Sequence, residues 1–210
     1  MSAQKIALIV EGFGEAAAAP ALLIRVLQHL NCHDVFPRQP AYNAHSGNNL
    51  TKVGGLEKFA ELAYRAPDCD AVLILIDSEG DCPLELARNF ARRIAATGAR
   101  KPTAIVVVHR MYEVWFVASA TALRGAVCGS RTLGDNLEIP ADCETVRDPK
   151  AWIKKRMTPP TYKETEDQLT LTRRIDFELA QIHSRSFRRL LHGVEQLLDA
   201  LREQAVVVTP

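Results

Sequence analysis

Ala71-Val72-Leu73-Ile74-Leu75-Ile76, followed at once by Asp77-Ser78-Glu79-Gly80-Asp81, decides the fold. An unbroken apolar run of this length predicts a strand buried on both faces, the habit of parallel sheets covered by helices. Carboxylates then stand where the strand leaves the sheet, and the C-terminal edge of a parallel sheet is its binding crevice. The chain repeats the arrangement near its start, where Ile6-Ala7-Leu8-Ile9-Val10 runs into Glu11-Gly12-Phe13-Gly14-Glu15. If the two strands are neighbours, at least four carboxylates converge. Such a cluster repels itself unless protons or a divalent metal neutralise it, and metal is the reading adopted.

Working outward, Glu15 to Leu30 reads as a helix that Pro20 delays or kinks. A short strand is expected around Asp34-Val35-Phe36. Pro37 to Leu50 is turn-rich, with Asn43 to Asn49 an exposed loop. Leu56 to Arg65 has helical spacing, and Pro83 opens a helix to about Ala96. Thr103 to Val108 is another buried strand, and Met111 to Ala118 begins another helix. This βαβαβαβ alternation predicts an α/β fold: a four-stranded, mostly parallel sheet flanked by helices over residues 1–124. Residues 125–210 are expected to form a loop-rich segment and a C-terminal helical extension packing on that core. Its helices are Trp152–Met157, Thr165–Ile182 and Ser184–Gln204. In the last, Phe187, Leu190, Leu191, Val194, Leu197, Leu198 and Leu201 make one apolar stripe, for core or partner packing.

Composition excludes more than it selects. The 210 residues are 47% apolar and 24% charged with a formal net charge of +1, the profile of an ordinary globular protein without a global nucleic-acid signature. Arg147 to His192 holds 11 Lys/Arg against 6 Asp/Glu, leaving the rest net acidic. A metal site facing a polyanion fits that polarity; a solvated helix surface gives the same count. Cys32, Cys69, Cys82, Cys128 and Cys143 are scattered without a C-x-x-C, the pattern of reduced thiols. With no signal peptide and no bilayer-length apolar run, the expectation is a cytoplasmic protein without a membrane partner.

Metal-dependent phosphoryl chemistry needs hard oxygen ligands that leave room for phosphate and water. Glu11, Asp77, Glu79 and Asp81 offer them, and Asp77 and Glu79 can share a face because they lie two apart. Glu15 and Glu85 read as first-turn helix acids. Glu113, in His109-Arg110-Met111-Tyr112-Glu113-Val114-Trp115-Phe116, is either an outward helix acid or a further ligand. His109 and Arg110 suit a phosphate, or an ion pair with Glu113. Gly12-Phe13-Gly14 lacks the third glycine of a dinucleotide fingerprint, and no phosphate-loop, H-E-x-x-H or nucleophile-elbow motif occurs.

The order Glu-Gly after the first strand, D-x-E-x-D after the third and Glu after the fourth resembles a Toprim domain. That is the metal-binding fold of topoisomerases, primases and the nucleases of the OLD group. Val10-Glu11-Gly12-x-Gly14-Glu15, Leu75 to Pro83 and Glu113 to Ser119 further resemble a bacterial Toprim-like family of unknown function, whose members often sit beside predicted ATPases. The likeness extends through Asn49 to Lys58, Tyr162-Lys163-Glu164-Thr165 and Ser184-Arg185-Ser186-Phe187. It implies Glu11 as general acid/base or metal ligand, and Asp77 and Glu79 as the D-x-D pair with Glu79 replacing the usual second Asp. Asp81 becomes an accessory ligand, and Lys163 a basic residue stabilising charge on a scissile phosphate.

The functional expectation is a nuclease or phosphodiesterase. One or two Mg²⁺ or Mn²⁺ would be held by Glu11, Asp77, Glu79 and Asp81 or Glu113, with Arg174, Arg185 and Arg189 steering DNA or RNA. The resemblance adds a role in antiphage defence with an ATPase partner, and a homo-oligomer is open. The competing expectation is a non-catalytic metal- or nucleotide-binding partner, docked on an ATPase through the 187–201 stripe.

Overall fold

The computed structural model describes residues 3–210. Five strands form one parallel sheet: β1 (Gln4–Val10), β2 (Val35–Asn43), β3 (Ala71–Asp77), β4 (Thr103–Val108) and, from the far end of the chain, β8 (Val208–Thr209). Their order is β2-β1-β3-β4-β8. The expected α/β architecture, a parallel sheet flanked by helices with a C-terminal helix, is therefore present, and a fifth short strand completes the sheet.

The unbroken apolar runs are explained by burial on two sides. Ile6, Leu8 and Val10 of β1, with Ala71, Leu73 and Leu75 of β3 and Ala104, Val106 and Val108 of β4, face one core. The helices α1 (Phe13–His29) and α9 (Arg185–Glu203) cover it. Ala7, Ile9, Val72, Ile74, Ile76, Ile105 and Val107 face the other, under α3 (Gly55–Arg65) and α4 (Pro83–Ala96). One residue of slip would not expose a polar face, so pattern alone leaves the register open. The ladder sets it, pairing Ile9 with Ile74 and Asp77 with Val108.

β2 runs nine residues through Pro37 and Pro40, where turns were expected. It is an edge strand, where a missing N–H can face away from the sheet and is tolerated. The exposed loop expected at Asn43 to Asn49 also holds part of a short helix, α2 (Gly47–Thr51), capped by Ser46. Pro20 lies inside α1 without ending it.

The segment after residue 124 is more ordered than its glycines and prolines implied. It holds an antiparallel sheet of β5 (Val127–Cys128), β6 (Arg131–Leu133) and β7 (Met157–Thr158). A short helix, α6 (Pro149–Lys154), starts earlier than expected because Asp148 caps it, accepting from the Ala151 N–H. The helix expected over Thr165–Ile182 is two, α7 (Glu164–Thr172) and α8 (Phe177–His183). Asp176 caps the second, and Arg25 donates to the carbonyls of Thr172 and Ile175 at the break. The stripe of α9 is core throughout, so docking of a partner through it is corrected: those side chains are already covered. Among the described residues no helix is long and apolar enough to cross a membrane.

Candidate functional site

β1 leads through α1 to β2 on one side, and the chain then crosses over to β3 on the other. The C-terminal ends of β1 and β3 therefore border a topological switch point, where open parallel sheets leave a crevice. A cleft of about 180 Å³ lies there. Five carboxylates line it, Glu11, Glu15, Asp77, Glu79 and Glu164, against the cations Arg110 and Lys150.

Glu11 follows the last residue of β1, and its Oε1 accepts the N–H of Asp77 at 2.7 Å, which ties the two strand ends together. Gly47 closes the third side so tightly that a Cβ there would stand 2.4 Å from Glu11 Oε2. Burial pushes the Glu11 carboxyl up to about 7; the Asp77 amide opposes the rise, and Glu15 and Glu79 add to it. The Asp77 carboxyl is driven well above its usual range by burial first and then by Glu11, Glu113 and Glu15. Glu15, in the first turn of α1, is 7% exposed, and its Oε2 has no hydrogen-bond partner.

Glu79 and Arg110 face each other beyond the ends of β3 and β4, both in the left-handed region, with φ of 51° and 60°. Non-glycine residues adopt it at a cost of about 1 kcal/mol or more each. Backbone bonds hold the pair: Glu79 N–H donates to Arg110 O at 2.8 Å and Ser78 N–H to Val108 O at 2.9 Å. The buried Ser78 hydroxyl accepts the Arg110 N–H at 2.8 Å. The turn thus aims Glu79 and Arg110 at the cleft and leaves Asp81 exposed outside its lining.

Glu113 lies fully buried without lining the cleft itself. Tyr162 O–H donates to its Oε1 at 2.9 Å, and its Oε2 has no partner. Burial raises its carboxyl to about 7 against the opposing charge of Lys150 and the Tyr162 bond. Of the two readings of Glu113, the outward helix acid is excluded.

Sequence reasoning missed Lys150. It stands in the first turn of α6, and its Nζ lies 2.8 Å from Glu164 Oε1. Burial works against its charge, but Glu113, Glu164 and Asp77 hold its pKa above the ordinary range. No sequence signal marked it, since the helix was expected to begin at Trp152 and its acidic partners come from distant segments. Lys163 is exposed, pairs with Glu166 at 2.9 Å and does not line the cleft. Arg185 and Arg189 line a different cavity, and Arg174 at the end of α7 lines neither. The proposed phosphate-steering arginines are therefore not one surface with the acidic cleft.

Among the described residues no three His, Cys, Asp or Glu side chains form a ready metal-binding group. Glu11 is engaged by the Asp77 amide, Glu113 by Tyr162, and Lys150 offsets part of the cluster's charge.

Fold and site define the class as a parallel-sheet α/β protein with an acidic crevice at its switch point. The chain belongs to the family described as a domain of unknown function (DUF4276), which matches residues 10–195. No curated protein and no solved structure matches it.

Proposed function

We propose that the cleft is a divalent-cation site of Toprim type serving a nuclease or phosphodiesterase. The observation that carries this reading is the convergence of half-buried Glu11 and Asp77 with buried Glu15 at the cleft and buried Glu113 near Asp77, short of counter-charge, with unpartnered oxygens on Glu15 and Glu113. Hard carboxylate oxygens fit Mg²⁺ or Mn²⁺, although Glu11 and Glu113 must turn from their present partners to bind one. Glu11, Asp77 and Glu79 would hold the ion, with Glu15 or Glu113 completing the set in place of the outlying Asp81. A bound ion would supply Lewis acidity and a water of lowered pKa.

The chain's own residues do the rest. Arg110 and Lys150 offer charge to a phosphate entering the cleft, and Lys150 offsets part of the cluster's negative charge. A Glu11 carboxyl near 7 can hold or release a proton at neutral pH. A role in defence beside an ATPase rests on the Toprim-like resemblance. The second reading, a non-catalytic metal- or nucleotide-binding partner, is favoured by Lys163, Arg174, Arg185 and Arg189 lying outside the cleft lining, where they do not face a substrate held there.

The test incubates the protein with Mg²⁺ or Mn²⁺ and supercoiled, linear and single-stranded DNA and RNA, beside Glu11→Gln and Asp77→Asn. Cleavage lost by at least about a hundredfold in both variants is expected. Cleavage that the variants retain sinks the site. Tight metal binding without cleavage of any substrate supports the partner reading.

A further inference from the structure

Beside the acidic cleft stands an aromatic pair that no step of the proposed chemistry uses. Phe13 opens α1 directly after Gly12 and is 63% exposed, the most exposed phenylalanine among the described residues. Two positions on, Glu15 lies on the inner side of the same turn, buried in the cleft lining with Oε2 unpartnered. The ring of Phe13 meets the imidazole of His45, with centroids 5.1 Å apart and planes at 52°. At that tilt the rings brace each other without covering one another's faces. His45 is itself exposed and lines the cleft.

The loop holds His45 in place. Its φ of 64° is left-handed, which a non-glycine residue adopts only when its surroundings impose it. Asn43 Oδ1 accepts the His45 N–H at 2.7 Å, and Asn49 Nδ2 donates to Ala44 O at 2.7 Å. Two residues beyond His45, Gly47 lies against the Glu11 carboxylate. The imidazole and the acid cluster are therefore tied to one short loop and keep one spacing.

An exposed aromatic pair takes a flat, polarizable ring, and the charge beside it says what that ring is attached to. Arg110 and Lys150 line the same cleft and suit a phosphate. A nucleotide carries its base one sugar away from its phosphate, so a phosphate at these cations brings a base to the rim. Lys154 stands exposed one turn along α6 from Lys150, with Lys155 exposed next to it. Such a path serves several phosphates in succession, a strand and not a lone nucleotide. Inside a duplex the faces of a base are covered by its neighbours, whereas a single strand leaves them free for aromatic side chains.

We propose that Phe13 and His45 form a stacking platform for an unpaired base of a single-stranded nucleic acid, whose backbone runs from the cleft along α6. For the phosphate this rests on the nuclease reading of the cleft; for the ring it does not.

The test measures binding of an oligothymidylate of about eight nucleotides, a length within the usual range of single-strand sites, in Ca²⁺ and in chelator. Beside it run an abasic strand of the same length and charge, a closed duplex without free ends, and thymidine monophosphate. The oligothymidylate should bind at least about fivefold tighter than each of these. Phe13→Ala, which removes an exposed ring and should melt like the parent, erases that margin over the abasic strand; Phe13→Trp keeps it. An abasic strand, duplex or mononucleotide that binds as tightly as the oligothymidylate overturns the platform. So does a margin that survives Phe13→Ala, or an oligothymidylate that does not bind at all. Melting with Mn²⁺ keeps the two claims apart. A Mn²⁺-dependent rise beside a failed margin removes the platform and leaves the metal site. A Phe13-dependent margin without that rise upholds the platform and removes the metal.

Discussion

At the scale of single residues, the cleft is held by a few atoms that would be unfavourable elsewhere. The left-handed Glu79 and Arg110 persist because the Ser78 hydroxyl accepts the Arg110 amide. Ser78→Ala leaves that amide without its acceptor and should cost about 1–2 kcal/mol, read as a lower urea midpoint with an unchanged slope. An unchanged midpoint would show that the turn needs no brace. Glu11 and Glu113 carry a second consequence. Each has a folded-state pKa raised from 4.5 to about 7 by burial, so folding takes up protons between those values. Stability of the metal-free protein must therefore fall as pH rises from about 4.5 through 7, by on the order of 3 kcal/mol for one such carboxyl. Melting temperatures in a chelator should decline across that window, and Glu113→Gln should flatten the decline. A profile that climbs from pH 5 to 7 would show these carboxyls ionised at little cost.

At the scale of elements, the cleft depends on how closely α7 approaches α1. A Cβ at Gly14 would stand 2.0 Å from Gln168 Oε1 and 2.9 Å from Glu164 Cβ. Gly14→Ala should push α7 outward, carry Glu164 and its partner Lys150 away from the cluster, and destabilise by about 1–3 kcal/mol. A variant as stable as the parent, with unchanged metal affinity, would mean that the helices yield freely. The sequence announces β1, β3 and β4 because a strand buried on both faces is one unbroken apolar run, and it announces α9 through its stripe and the Ser184 cap. The strand ends then locate Glu11, Asp77 and Glu79. It shows only the start of β2: the strand expected around Asp34 to Phe36 continues to Asn43 through prolines that spell a turn until it is known to lie at the edge, and β5 to β7 are too short for any period. Lys150 was hidden for a related reason. Its chemistry comes from Glu113 and Glu164, which only the tertiary fold brings to it.

At the scale of the whole molecule, the cleft draws on both sides of residue 124: acids from the ends of β1 and β3, Glu113 after β4, and Lys150, Tyr162 and Glu164 from the later segment. Relief of charge there should therefore stabilise the entire fold. At pH 8 Glu11 and Glu113 are both past their pKa values, so two further negative charges join a cluster whose nearby cations are Lys150 and Arg110. A divalent ion that binds the folded state at a hundred times its dissociation constant adds about 2.7 kcal/mol. For a chain of this size that is a rise of roughly 5–10 °C in melting temperature. The shift should appear with Mg²⁺ or Mn²⁺, vanish with chelator and be absent in Asp77→Asn. It should grow in Lys150→Met, where the competing ammonium is gone and the empty cluster starts from a less stable state. KCl at matched ionic strength separates binding from screening, which relieves surface repulsion but reaches buried pairs weakly. An equal rise with KCl, or a full rise in Asp77→Asn, would remove the cation from the cleft and leave Lys150 as its permanent counter-charge.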